Sequence, residues 1–384
     1  MTKKAGIYDP YLDTLGGGER YCLTVAEILL QNGYEVDLFW SGDPQFVNKA
    51  AQRFSLDLDK INIVPDIFEN DANKLESLED LENIKDIYSH HHSPKIRLLL
   101  QKIKITRQYD LIFYLSDGSI PFLFSKQNLL HIQVPLIQNP SSFKKIVTQI
   151  KLKKFSNVIC NSEFTRRVAQ KNLDYECQTL YPPVDVNKFE SSSNKENIIL
   201  AVGRFDNILN FKKQDVLIEA FKQLNQPQWK LILAGGSMES PEHNHYLKYL
   251  QTLADESNIE FVVNASFNIL QKLYSQSKIF WHAAGFDEDE NIHPEHTEHF
   301  GITTVEAMAS GLVPVVVAKG GLTEIVSDGV DGFLWSTIPE LIDKTNALIN
   351  SSELTTQLSL KAIEKSQLFT KEKFAAHFLE LINQ

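Results

Sequence analysis

Glu298 and Glu306 stand eight positions apart in the stretch EHFGITTVE, with a Phe-Gly pair and two threonines between them. An ionised glutamate accepts hydrogen bonds through two oxygens and can hold a vicinal diol. The free amides of a helix start near Gly301, Ile302 and Thr303 would favour a phosphate. Carboxylates on either side would then serve hydroxyls at the two ends of the same ligand. A purely local explanation competes for one of them: Thr303 followed three residues later by Glu306 has the spacing of a capping box. That box leaves Glu298 and Gly301 unexplained.

Two other turns carry suitable chemistry. In LGGGERYCLTVAEILLQNGYEVDLF (15–39), Gly16, Gly17 and Gly18 precede a helix that ends near Gly33. Such glycines let a backbone approach a phosphate closely, although a glycine turn can also serve only helix-to-sheet packing, and the Gly-x-Gly-x-x-Gly spacing of a dinucleotide site is missing. In VGRFDNILNFKKQDVLIEAF (202–221), Arg204 and then Lys212 and Lys213 follow a strand end. A guanidinium fork and an ammonium point charge suit a diphosphate. The alternative is exposed surface charge, the better reading of Lys213 taken alone. His293, His296 and His299 recur every third residue, but HPEHTEH lacks the His-Glu-x-x-His pattern, and no metal site is expected.

These turns need strands ahead of them. Short β-branched runs alternate with helical patterns, which marks an α/β class with parallel sheets. Strands are expected at 5–8, 34–40, 61–64, 110–116, 129–134 and 157–161 in the first half, and at 198–203, 229–236, 259–263, 278–283 and 313–318 in the second. A Pro-, Ser- and Asn-rich segment, YPPVDVNKFESSSNKEN (181–197), joins them. Two doubly wound domains meeting at a cleft follow, with boundaries at 1–185 and 186–365 and a last segment at 366–384. Ligands of such sheets collect beyond the carboxyl ends of the strands.

A chain of 384 residues, 43% hydrophobic, is long enough for two cores and is not a disordered protein. No stretch reaches the roughly 20 apolar residues of a membrane span, and no secretory signal is recognised at the start, so a cytoplasmic location is expected. Cys22, Cys160 and Cys177 lack metal-type spacing and read as reduced core residues. The net charge of −11 argues against nucleic-acid binding, yet residues 87–171 hold 14 Lys and Arg against 3 Asp and Glu, a local +11. Much of it lies in 93–108 and 141–155, where apolar residues recur at helical spacing between the lysines. Such helices rest on an anionic membrane or are simply solvated. The acidic run 56–86 reads as an inserted or solvated helical segment.

In joint order, GGGER, VICNSEFTRR, YPPVDVNKF, VGRF with FKKQDVLIEAF, EHFGITTVEAMASGLVPVV and GGLTEIVSDGVDGFLW resemble family 4 of the retaining glycosyltransferases, from the first helix to about residue 335. The resemblance implies the GT-B fold: two Rossmann-like domains facing across a cleft, the donor on the second, and a final helix, here KEKFAAHFLELI (371–382), crossing back to the first. By position it implies that Glu306 binds the ribose hydroxyls, Glu298 contacts the transferred hexose, and Arg204 and Lys212 neutralise the diphosphate. Gly301, Ile302, Thr303, Gly17 and Gly18 complete the phosphate cradle. Lys212 is preferred to Lys213 because KKQDVLIEAF matches the family's Lys-Gly-x-Asp pattern with Lys212 first. His131 in LLHIQVP resembles the first-domain histidine that faces the sugar; a histidine ending a buried strand is its other reading.

Where many members have Pro-Ser, this chain has Trp281, His282 and Ala283. That variant resembles the branch of mannosyltransferases that extend lipid-linked oligosaccharides from GDP-mannose, while similar bacterial members use other sugars, so a UDP-sugar stays open. The resemblance implies transfer without metal or cofactor; because the basic block falls in the first domain, where the family binds acceptors, a glycan or lipid-linked acceptor and a peripheral place on the cytoplasmic face of a membrane are expected. Front-face attack by the acceptor hydroxyl, with the departing phosphate oxygen as base, is the expected route to retention, and a covalent intermediate on Glu298 is its rival. A sugar-nucleotide epimerase, a phosphorylase, or a non-catalytic carbohydrate- or membrane-binding module are the alternatives on the same fold.

Overall fold

The structure, a computed structural model, describes residues 2–68, 94–135, 137, 141–205, 212–237, 241–255 and 257–383. The acidic run beyond residue 68, residue 93 of the first basic stretch, and residues 206–211 between Arg204 and Lys212 lie outside the described residues.

The first half runs β1 (Lys3–Tyr8), α1 (Gly17–Gln31), β2 (Tyr34–Phe39), α2 (Gln45–Phe54), β3 (Asn62–Val64), α3 (Pro94–Thr106), β4 (Leu111–Leu115), β5 (Gln127–Ile132), α4 (Ser142–Leu152), β6 (Asn157–Cys160), α5 (Glu163–Leu173) and β7 (Gln178–Thr179). The strands pair in parallel in the order β3-β2-β1-β4-β5-β6-β7. Alternate residues feed the two faces: Ile7, Leu38 and Phe113 enter one core, Tyr8, Phe39 and Tyr114 the other.

The second half runs β8 (Ile198–Val202), α6 (Gln214–Leu224), β9 (Lys230–Gly235), α7 (Pro241–Leu253), β10 (Ile259–Val263), α8 (Phe267–Gln276), β11 (Ile279–His282), α9 (Ile302–Ala309), β12 (Val313–Val317), α10 (Leu322–Ile325), β13 (Phe333–Trp335), α11 (Ile338–Asn350), α12 (Ser352–Ser366) and α13 (Lys371–Asn383). Its parallel sheet has the order β10-β9-β8-β11-β12-β13. The chain thus reverses its direction of sheet growth between β1 and β4 in one half and between β8 and β11 in the other, and such switch points open a crevice at the carboxyl ends. β7 and β13 were not anticipated; at two and three residues they are too short for a period of two to register.

The last helix returns to the first half. Phe374, Phe378 and Ile382 of α13 sit in the core with Ile7, Tyr21 and Val36, and Lys371 pairs with Glu27 of α1. Lys195, in the segment between the halves, ties two helix ends together. Its ammonium donates to the carbonyls of Ser275 at 3.3 Å, Ser277 at 2.8 Å and Ser310 at 2.8 Å, placing a cation where the C-termini of α8 and α9 carry partial negative charge.

His131 departs from the sugar-facing role. It is fully buried on β5, its ring stacked on Tyr21 with centroids 3.9 Å apart and 5.6 Å from Phe113. Both faces of this central strand are covered, so its inward side chains enter a core rather than the cleft. Burial lowers the imidazole pKa from 6.5 to about 3 and keeps the ring neutral. The unfolded chain takes up this proton near pH 6.5 and the folded protein only near 3, so stability is complete above about pH 6.5 and is lost as pH falls toward 3. Denaturant titrations at pH 7 and pH 4 measure this directly. A His131→Met variant is expected to lose less stability between the two than the wild type does; an equal loss would show that other groups set the acid limit.

Candidate active site at the domain seam

The second half brings its residues to the β8/β11 switch point. Arg204 follows β8 and is exposed, with its carbonyl accepting from the Gln214 amide at 2.9 Å. Lys212 reaches back from the start of α6 and places Nζ 2.6 Å from Glu298 Oε2. His282, the last residue of β11, lies on the same oxygen: Nε2 is 2.9 Å away. The Ala284 N–H donates to Nδ1 at 3.3 Å, which puts the neutral ring's proton on Nε2, facing the carboxylate. Burial works against the charge on Glu298, but Lys212 and His282 outweigh it and hold the carboxyl well below its ordinary range.

Gly301 starts α9. Its φ of 114° is left-handed, and an added Cβ would stand 2.9 Å from Leu322 Cδ2, so glycine is required twice over. No side chain caps this helix. The capping box between Thr303 and Glu306 is therefore not formed: Thr303 is already inside the first turn, its carbonyl accepting from the Tyr274 hydroxyl at 3.3 Å. Glu306, almost wholly enclosed, instead accepts from Tyr274 at 3.1 Å and from Arg20 Nη1 at 3.3 Å. Its pKa is raised by burial, with Arg20 the largest opposing influence.

Arg20 belongs to the other half. α1 begins behind Gly16, whose N–H donates to the Glu19 carboxylate in the first turn. An added Cβ on Gly17 would lie 2.9 Å from Ile302 Cδ1, and one on Gly18 would meet the Gln133 amide at 2.5 Å. The N-termini of α1 and α9 thus abut across the seam. Arg20 continues that contact, with Nη2 also 3.3 Å from Asp185 Oδ2.

Gly17, Gly18, Arg204, Lys212, Glu298, Gly301, Ile302, Thr303 and Glu306 all come from the two facing switch points, whereas His131 does not reach them. Arg20, Tyr274, Asp185 and His282 were not assigned from the sequence. Arg20 stood inside the GGGER motif and His282 in the departure from Pro-Ser, so both carried a signal; Tyr274 and Asp185 carried none. Lys213 pairs with Glu288 at 2.8 Å, and Glu288 also meets His296 at 3.2 Å. His293, Glu295 and His296 bring one donor atom each within 4.8 Å of one another on the surface. His299 turns inward and donates from Nε2 to the Glu295 carbonyl at 3.2 Å.

Comparison with known proteins follows this geometry. Residues 184–365 match the family model described as glycosyl transferases group 1. The chain is 28% identical over 281 residues to a GDP-Man:Man(3)GlcNAc(2)-PP-Dol alpha-1,2-mannosyltransferase of Dictyostelium discoideum, covering 68% of this chain and 52% of that protein, so it spans about half the length of that relative. It is 28% identical to an uncharacterized glycosyltransferase of Haemophilus influenzae over 96% of both chains. A glycosyltransferase crystal structure from Rickettsia africae superposes with a TM-score of 0.73 over 100% of this chain and 98% of that one; at 20% identity the likeness speaks for the fold. Residues 184–365 are thus similar to the glycosyl transferases group 1 family, and the two facing parallel-sheet domains have the GT-B fold.

Proposed function

We propose that the protein is a retaining hexosyltransferase, moving a hexose from a nucleoside diphosphate sugar to a hydroxyl of a glycan or lipid-linked acceptor. The observation that carries this reading is the arrangement around the start of α9: one carboxylate on each side, Glu298 and Glu306, with the N-terminus of α1 opposite. In this reading Glu306 receives the ribose diol and Glu298 the hexose hydroxyls. The diphosphate lies between them on the amides of Gly301 to Thr303 and of Gly17 and Gly18, with Arg204 and Lys212 as cations. Charge developing on the leaving diphosphate would meet fixed donors that need no reorganisation, so no metal or cofactor is invoked. GDP-mannose comes first among donors because the Dictyostelium relative's name carries GDP-Man; UDP-sugars are the second class.

Front-face attack is the route we favour over a covalent adduct. The Glu298 charge is stabilised by Lys212 at 2.6 Å and His282 at 2.9 Å, and a carboxylate so weakly basic is a poor nucleophile. The acceptor hydroxyl would pass its proton to the departing phosphate oxygen.

An acceptor held in a membrane fits the first domain. On α4, Phe143, Ile146 and Ile150 are 37%, 59% and 51% exposed and lie three and four residues apart, with Lys144, Lys145, Lys153 and Lys154 beside them. Lys151 lies over the Phe122 ring, and both Lys154 and Arg107 over Phe124, so the end of the 93–108 stretch joins the same face. Apolar side chains bedded among cations match an anionic bilayer surface, which we place on the cytoplasmic side. No described helix is long and apolar enough to cross a membrane.

Calorimetry with GDP-mannose and a panel of UDP-sugars tests the donor half. One class is expected to bind; Glu306→Gln should weaken it roughly 10- to 100-fold, the loss of a charge-assisted hydrogen bond or two. Glu298→Gln should bind donor nearly as the wild type does and lose turnover. A wild-type protein that binds no nucleoside diphosphate would end this reading. Cosedimentation with phosphatidylserine vesicles, against phosphatidylcholine alone, tests the membrane half. Reversing Lys144, Lys145, Lys153 and Lys154 to Glu should abolish the phosphatidylserine-dependent fraction, and an unchanged fraction would remove the membrane from the proposal.

A further inference from the structure

Arg20 is a cation of the first domain shared between a carboxylate of the second half and one of the connecting segment. Its side chain is nearly buried, and its fork divides between Glu306 on α9 and Asp185 in the connecting segment, each at 3.3 Å. Asp185 is held in place by Lys188 at 3.2 Å. Glu306 receives a neutral hydroxyl, that of Tyr274, from its own domain. The positive charge matched to it comes from across the seam.

That division has a physical consequence. A carboxylate can be enclosed as an anion only where a partner and hydrogen bonds offset its lost hydration. Glu306 is enclosed at a seam, so its surroundings depend on how the domains approach. With the domains apart, water would solvate Glu306; with them together, Arg20 replaces that water. The contact of Gly17 with Ile302 lies one helical turn away and closes the same seam.

We propose that Arg20 is a positioning residue of the donor site, contributed by the opposite domain, which lets Glu306 be enclosed as an anion when the cleft closes. The effect on donor binding rests on the ribose reading of Glu306 given above; the effect on closure does not. Arg20 holds Glu306 Oε1 with a single N–H, and a carboxylate oxygen accepts more than one bond, so a ribose hydroxyl can share the group without displacing the guanidinium.

The test uses the full chain with Arg20→Met, Arg20→Lys, and Arg20→Met combined with Glu306→Gln. Small-angle scattering without ligand reads closure, and calorimetry with GDP and UDP reads the site. Arg20→Met should enlarge the radius of gyration and weaken the nucleotide that binds the wild type by about tenfold or more, which is about 1.4 kcal/mol. Arg20→Lys, which keeps charge without the fork, should fall between. Adding Glu306→Gln should return the radius of gyration to the wild-type value, because a neutral amide needs no counter-charge, while nucleotide affinity stays low. A merely structural arginine would not be rescued in this way. The proposal is overturned if Arg20→Met scatters and binds like the wild type, or if the double variant is as open as the single one. Should Arg20→Met fail to fold, the same two readouts on Arg20→Lys decide, with wild-type behaviour counting against the proposal. A wild type that binds neither nucleotide removes the donor reading and leaves the scattering comparison to judge closure alone.

Discussion

Two carboxylates are enclosed beside one short helix, each is met by a cation that offsets its lost hydration, and the two cations come from different places. Glu298 is matched by Lys212 and His282, both of the second domain, so it is ionised and oriented whatever the first domain does. Glu306 is matched by Arg20, so its environment includes the first domain. The helix between them, α9, spans eight residues and is held at its far end by the Lys195 ammonium on the Ser310 carbonyl. Its amino end is thereby aimed at the seam.

Much of this was legible in the chain because the constraints are local. Continuous Val, Ile and Leu runs are what parallel strands covered on both faces demand, and most expected strands lie within a residue or two of the observed ones. Glycines at 17, 18 and 301 likewise declare backbone that a ligand or another helix approaches. Failures came where the deciding partner is remote. Glu306 fits the spacing of a capping box with Thr303, but Gly301 takes the cap and the carboxylate goes to an arginine 286 positions earlier. His131 resembles the sugar-facing histidine of the family, yet it follows its other reading, a histidine near the end of a buried strand. Its register, Leu115 on one side and Ile159 on the other, sets it inside a sheet whose two faces are both covered.

The contacts between the halves divide by chemistry. α13 inserts Phe374, Phe378 and Ile382 into the first core, an apolar attachment that water does not replace. Across the cleft, beside the close approach of Gly17 to Ile302, lie polar contacts: Arg20 with Glu306 and Asp185, and the Glu324 carboxylate with the amides of Glu163 at 2.8 Å and Phe164 at 2.5 Å. Water can take over each of these at modest cost, since hydrogen bonds exchanged with solvent leave little net energy. A seam of this composition can part while the crossing helix keeps the halves attached.

Glu324 also decides which helix starts are open to a ligand. Three amino ends meet the seam: α1, α5 and α9. That of α5 is satisfied twice from within the protein, by the Ser162 hydroxyl on the Thr165 N–H at 3.0 Å and by the Glu324 carboxylate, an anion held where a phosphate would bind. α1 and α9 both begin at glycines and abut through Gly17 and Ile302, α1 with the Glu19 carboxylate on its Gly16 N–H and α9 with no side-chain cap. The protein fills the α5 end with a carboxylate from the other half, gives the Gly16 N–H of α1 to Glu19, and leaves the start of α9 to backbone amides alone. In the function proposed above, an anionic ligand at this seam would meet the uncapped start of α9, with Glu298 and Glu306 on either side as acceptors for its hydroxyls.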